Sequence, residues 1–182
     1  MAKHSMKCHP DTPTKAVDEF TVEVELQEHG RIWIRYHVVA PVDELTLGLP
    51  SAAERTDGLW KTTCFEAFVM QAGNPGYLEF NFAPSSEWAA YSFSGYREAM
   101  EELPMPIAPE LGNDVSQINF ALEATFELPH AFADKDLLLA ITAVIEELDG
   151  TKSYWSLAHP SGAPDFHHPD CFTLRLPARA EP

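Results

Sequence analysis

Strict alternation in Tyr77-Leu78-Glu79-Phe80-Asn81-Phe82 is the feature that most constrains this chain. In an extended backbone Leu78, Phe80 and Phe82 point one way while Tyr77, Glu79 and Asn81 point the other. A helix would mix the two sets around its circumference. The same period of two returns in Phe20, Val22, Val24 and Leu26, in Ile32, Ile34, Tyr36 and Val38, and in Ile118, Phe120, Leu122, Ala124 and Phe126. It closes the chain in Phe172, Leu174 and Leu176. Leu137 to Ile145 is apolar almost throughout, and its β-branched Ile141, Thr142, Val144 and Ile145 suit a strand in the middle of a sheet. Glu28-His29-Gly30 and Asp149-Gly150 supply hairpin turns.

Between these runs the expectations are local. Glu44 to Leu49 reads as a short edge strand, and Ser51 to Gly58 as a helical turn capped by Ser51 with Glu54 behind it. Tyr96 to Leu103 reads as a short helix or lid, stopped by Pro104, Pro106 and Pro109. Residues 1–16 read as a flexible lead-in and 17–178 as one folded domain. About nine strands with sandwich-like turn spacing, and no βαβ rhythm, predict an all-β fold. Its form is an antiparallel β-sandwich of jelly-roll type. The expected core is Leu78, Phe80 and Phe82 with Phe20, Val22, Phe120, Leu122 and Leu174.

Charge narrows the partners. Twelve basic residues face twenty-eight acidic ones, a formal net charge of −16 in 182 residues. Such a surface repels phosphate backbones and anionic lipid, which argues against nucleic-acid and membrane partners. No apolar run reaches the roughly 20 residues of a membrane helix, and MAKHSMKCHPDTP has no signal-peptide core. Cys8, Cys64 and Cys171 are an odd set without a pairing pattern, read as free thiols, the last two buried. A soluble cytoplasmic protein is expected.

Candidate chemistry gathers between Leu59 and Arg97. Glu66, Glu79, Asn81 and Arg97 offer planar polar groups, and Trp60, Trp88 and Tyr91 offer aromatic plates. Sugars are held by that combination: polar groups pair with hydroxyls, and ring faces cover C–H surfaces. The polar face of the Tyr77–Phe82 strand is expected to be open to solvent or ligand. The competing reading makes the aromatics core residues and Glu79–Arg97 a plain salt bridge. The Pro-stiffened loop His159–Asp170 contributes His159, Asp165 and His168 as a rim. Neither His167-His168 with Asp165 or His159, nor His4, Cys8 and His9, has the spacing of a known metal motif, so no metal site is expected. Asp165 and Asp170 are expected to form Asx turns, with the histidines bonding backbone carbonyls. No nucleophile signature, P-loop or dinucleotide fingerprint occurs, and no catalytic residue is assigned. Glu66 and Glu79 leave glycoside hydrolysis, or another enzyme chemistry through the 159–170 loop, as an open alternative. Asn81→Ala and Arg97→Ala are expected to weaken ligand binding by about 1–3 kcal/mol with the melting temperature nearly unchanged.

The runs LWKTTCFEAFV, YLEFNFAPSSEWAAYSFSGYR and SYWSLAHPSGAPDFHHPDCF resemble bacterial DOMON-like domains related to family 9 carbohydrate-binding modules. The resemblance spans roughly Glu19 to Leu176 and implies a β-sandwich on its own. It implies a non-catalytic domain for a small carbohydrate or similar polar metabolite. Its alternative is a haem-binding redox domain with Met and His axial ligands. Met70, Met100 and Met105 supply methionines for that alternative, without a residue-by-residue match to the haem pattern.

Overall fold

The computed structural model describes residues 2–178, and among them every strand ladder is antiparallel. No helix exceeds three residues, and none is long and apolar enough to cross a membrane. The first sheet contains β1 (Lys3–Ser5), β3 (Glu19–Leu26), β4 (Arg31–Val39), β9 (Glu110–Val115) and β10 (Asn119–Glu127), in the order β1-β3-β4-β10-β9. The second contains β2 (Lys7–Cys8), β5 (Cys64–Gln71), β6 (Tyr77–Phe82), β7 (Trp88–Phe93), β8 (Glu101–Glu102), β11 (Leu137–Glu146) and β12 (Lys152–Ser156). Their order is β2-β12-β11-β5-β6-β7-β8, with β13 (Leu174–Leu176) also on β11. The two sheets form the expected antiparallel β-sandwich of jelly-roll type.

Alternation builds the main core between the sheets. Phe65, Ala67 and Val69 of β5 and Leu78, Phe80 and Phe82 of β6 meet Val22, Ile34, Tyr36, Phe120, Leu122 and Phe126 from the other sheet. Phe80 packs on Phe126 at 4.3 Å between ring centroids, and Phe20 meets Phe65 at 6.0 Å. Tyr36 crosses the core to donate its hydroxyl to the carbonyl of Glu66 at 2.8 Å. Every predicted core residue is fully buried except Leu174, which packs at the margin.

The opposite face of the second sheet is covered too. Cys64 and Phe68 of β5, Tyr77 of β6, Ala89, Tyr91 and Phe93 of β7, and Ala140 and Val144 of β11 pack with Phe166, Cys171 and Phe172 of the segment that follows β12. That cover corrects one expectation: Tyr77, Glu79 and Asn81 are 2%, 5% and 0% exposed, so β6 is buried on both faces. A strand with a covering loop need not leave its polar side to water, provided the polar groups find partners.

Other expectations change for local reasons. Residues 3–8 form strands, one in each sheet, and Met6 between them is buried. The buried Glu147 carboxylate then fastens the segment behind them, accepting from the Thr14 hydroxyl and Lys15 N–H at 2.8 Å each and from Ala16 N–H at 3.2 Å. Residues 3–8 and 14–16 are therefore tied into the sandwich rather than a loose lead-in. Tyr96–Leu103 is not a helix. Arg97 and Ala99 take φ of 54° and 46°, which a right-handed helix excludes, and Glu101–Glu102 instead pair with β7. Glu44–Leu49 contributes only a single bridge, Leu45 to Glu147, and Ser51–Gly58 contains no helical turn. Ile118 is exposed because it sits in the turn before β10 begins. The polar strand β9 carries no apolar alternation, since it lies at a sheet edge with both faces largely wet.

Candidate ligand-binding site

A cavity of about 360 Å³ opens on the outer face of the second sheet, where the loop after β12 stops short of covering it. Glu66, Glu79, Arg97 and His167 supply its polar groups; Trp60, Phe68, Phe93 and Phe166 are among its aromatic walls. The volume falls within the roughly 300–1,000 Å³ typical of small-molecule sites.

Register explains why two carboxylates share it. Glu66 of β5 stands opposite Asn81 of β6, and Phe68 stands opposite Glu79, so both acids leave the sheet on the same face. Thr142 of β11, opposite Glu66, donates its hydroxyl to Glu66 Oε2 at 2.9 Å. Asn81 donates its amide to Glu79 Oε1 at 2.8 Å. Burial makes charge costly here, and the two carboxylates repel one another. Both titrate far above the usual carboxylate range, Glu66 near 8 through desolvation and Glu79, and Glu79 near 7 through desolvation. Burial and the same two acids push the neighbouring Cys64 thiol well up.

His167 faces Glu79 from the covering loop. Its Nδ1 lies 2.8 Å from the Tyr77 hydroxyl, which already accepts the Arg97 backbone N–H at 3.1 Å. These contacts fix the ring's orientation and turn Nε2 toward Glu79. Nε2 stands 3.9 Å from Glu79 Oε2, too far for a direct hydrogen bond but within joint reach of one ligand hydroxyl. Burial, reinforced by Arg97, lowers the His167 pKa to about 4, so the ring is neutral at physiological pH.

Asp165 organises the rim. It accepts from Arg97 Nη2 at 2.7 Å, from the Tyr96 hydroxyl, and from the His167 backbone N–H at 3.2 Å. The last bond is the expected Asx turn. Burial works against ionisation, but the Tyr96 and Arg97 hydrogen bonds outweigh it and hold the Asp165 carboxyl below its ordinary value. Arg97 reaches this position from a left-handed backbone conformation, a strained state that its ties to Tyr77 and Asp165 sustain. Trp60 follows Gly58, whose φ of 80° turns the chain toward the site, and its ring meets Tyr91 edge-on at 6.0 Å.

The cavity thus brings together four of the ten residues singled out in the sequence: Trp60, Glu66, Glu79 and Arg97. Asn81 and Asp165 stand directly behind them, and Tyr91 supports Trp60. Trp88 does not line it: opposite Phe82 in register, it points into the core between the sheets. His168 accepts the Asp170 N–H and His159 bonds the Lys7 carbonyl, so neither reaches the cavity. The adjacent histidines diverge, and among the described residues no three metal-ligating side chains converge. His167, Phe68, Phe93 and Phe166 escaped the sequence reading. Alternation placed Phe68 on the same face as Glu66, and that was the one available signal.

The three methionines raised for a haem alternative lie in different places. Met70 packs on the outer cluster and Met105 on the inner one, leaving only Met100 at the cavity. The histidine there has one ring nitrogen engaged and the other facing a carboxylate.

The sequence matches no protein-family model and no curated protein. Solved structures share its fold, two of them as follows. A protein from Bacteroides uniformis ATCC 8492, named as a putative carbohydrate-binding protein, superposes with a TM-score of 0.69 at 14% identity, covering 94% of this chain and 84% of that one. A family 9 carbohydrate-binding module from Caldicellulosiruptor kristjanssonii, in complex with glucose, superposes with a TM-score of 0.59 at 10% identity, covering 94% and 82%. At these identities the likeness is one of architecture: this chain is built on the same β-sandwich as a family 9 carbohydrate-binding module.

Proposed function

We propose that this protein is a non-catalytic binding domain for a small saccharide, held in the cavity between Glu66, Glu79, His167 and Arg97. One observation carries the reading: buried hydrogen-bonding groups with unused capacity face a cavity walled by aromatic rings. Hydroxyls would pair with Glu79 Oε2, His167 Nε2 and Glu66, and the sugar's C–H faces would lie against Trp60, Phe93 or Phe166. The carbohydrate names borne by the two fold neighbours support the same reading.

Calorimetric titration against a panel of mono- and disaccharides tests this. Saturable binding by at least one sugar is expected. Trp60→Ala and His167→Ala should each weaken it by about 1–3 kcal/mol, the range for losing one good polar or aromatic contact. A protein indifferent to every sugar of the panel would overturn the proposal.

A further inference from the structure

Resting on that reading, we infer that the preferred ligand is a cationic sugar, one carrying a free ammonium group that sits between Glu66 and Glu79. The two carboxylates are 2% and 5% exposed, yet each has an oxygen without a hydrogen-bond partner among the described residues. Thr142 and Asn81 satisfy the other oxygens, Glu66 Oε2 and Glu79 Oε1. Glu66 Oε1 and Glu79 Oε2 are left for the ligand.

The groups facing these acids supply no committed positive charge. His167 is neutral, and Thr142, Asn81 and the Tyr77 hydroxyl are uncharged. Arg97, the one cationic side chain on the cavity, lowers the Glu79 titration, but its own hydrogen bond is committed to Asp165. Whenever one of the acids gives up its proton, the negative charge is buried with no cation committed to it. A neutral sugar can donate hydroxyls to them but leaves the charge buried, whereas an ammonium compensates it and donates up to three hydrogen bonds. The aromatic walls suit the same ligand, since ring faces attract a cation as well as C–H surface. A net charge of −16 draws cations toward the whole molecule. Desolvation is the first cause that raises both acids, and an ammonium entering at pH 7 would displace protons they hold.

The test compares D-glucosamine, D-galactosamine and D-mannosamine with their parent hexoses and N-acetyl derivatives, by calorimetry at pH 7 in two buffers of different ionisation enthalpy. At least one hexosamine should bind about tenfold tighter than both its neutral counterparts, as a charge-assisted bond replaces a neutral one. That binding should release protons to the buffer and weaken with added salt. Glu79→Gln, and separately Glu66→Gln, should erase the preference for the amine, read as equal affinity for the hexosamine and its parent hexose within the same variant. The wild-type proton release keeps the inference testable if either variant fails to fold. Parent hexoses binding as tightly as their amines would overturn this inference and leave the saccharide reading standing. Failure of amines and neutral sugars alike would overturn both.

Discussion

Glu66 and Glu79 are carboxyl groups that folding makes harder to ionise, and stability must therefore depend on pH through them. Their native pKa values, near 8 and near 7, lie above the unfolded value of about 4.5. Between those limits the native state binds more protons than the unfolded chain. The stabilisation is complete below about pH 4.5 and is lost as pH rises toward 8. Melting temperatures should accordingly fall from pH 5 to pH 8 in the ligand-free protein, and Glu66→Gln should flatten that slope. An unchanged slope in the variant would show that the acids ionise freely. Asn81 needs a different expectation from the one its sequence position suggested. It is wholly buried and holds Glu79 Oε1, so Asn81→Ala strands an acceptor and should cost about 1–3 kcal/mol in chemical denaturation rather than leave stability untouched. Arg97 is half-exposed, and its replacement should spare global stability as first expected.

At the scale of elements, the strands of the inner core and the covering loop differ in what holds them. Phe80 on β6 is completely buried against Phe126, and Phe80→Ala should cost about 3–5 kcal/mol. Met6, set between two short strands, makes the amino-terminal segment part of that core. Met6→Ala should cost about 2–5 kcal/mol, whereas a loose lead-in would register below 0.5 kcal/mol in the same denaturant titration. The loop after β12 depends on Asp165, which gathers Tyr96, Arg97 and the His167 backbone. Asp165→Ala should raise amide exchange across residues 159–172 while leaving exchange in β5 and β11 unchanged, since those strands are paired on both sides. Uniform loosening of the whole sheet would show that the loop and sandwich are one cooperative unit.

On the scale of the whole molecule, the cavity lies between a rigid sheet and a loop tied across it. A bound saccharide touches both, and it must stabilise the folded state by mass action. At a concentration a hundred times the dissociation constant the gain is about 2.7 kcal/mol, which a thermal scan reads as a rise of several degrees. Protection should extend to the loop as well as the strands. A ligand that bound without raising the melting temperature would be attached elsewhere, to a surface the unfolded chain also offers.

Much of this architecture was legible in residue order, because alternation is a local property. Phe20–Leu26, Ile32–Val38 and Tyr77–Phe82 declare their strands and faces without reference to any partner. The gathering of Glu66, Glu79 and Arg97 with Trp60 followed from three consecutive strands pairing as neighbours. Non-local contacts decided the rest. Trp88 and Trp60 are both aromatic and close in sequence. Pairing of Trp88 with Phe82 sends it inward, while the left-handed Gly58 turn sends Trp60 to the cavity. His167 rather than His168 faces Glu79 because the loop is fixed from outside, by Asp165, Tyr77 and Arg97. Residues 3–8 have no strand signature of their own and become strands only because β3 and β12 offer them open edges. The sequence by itself determined which segments are extended and which side chains share a face, since a pleated backbone requires nothing else. Tertiary structure alone decided that the polar face would be roofed over. It takes the segment after β12, distant along the chain, to exclude water and turn two ordinary glutamates into buried acids that hold their protons.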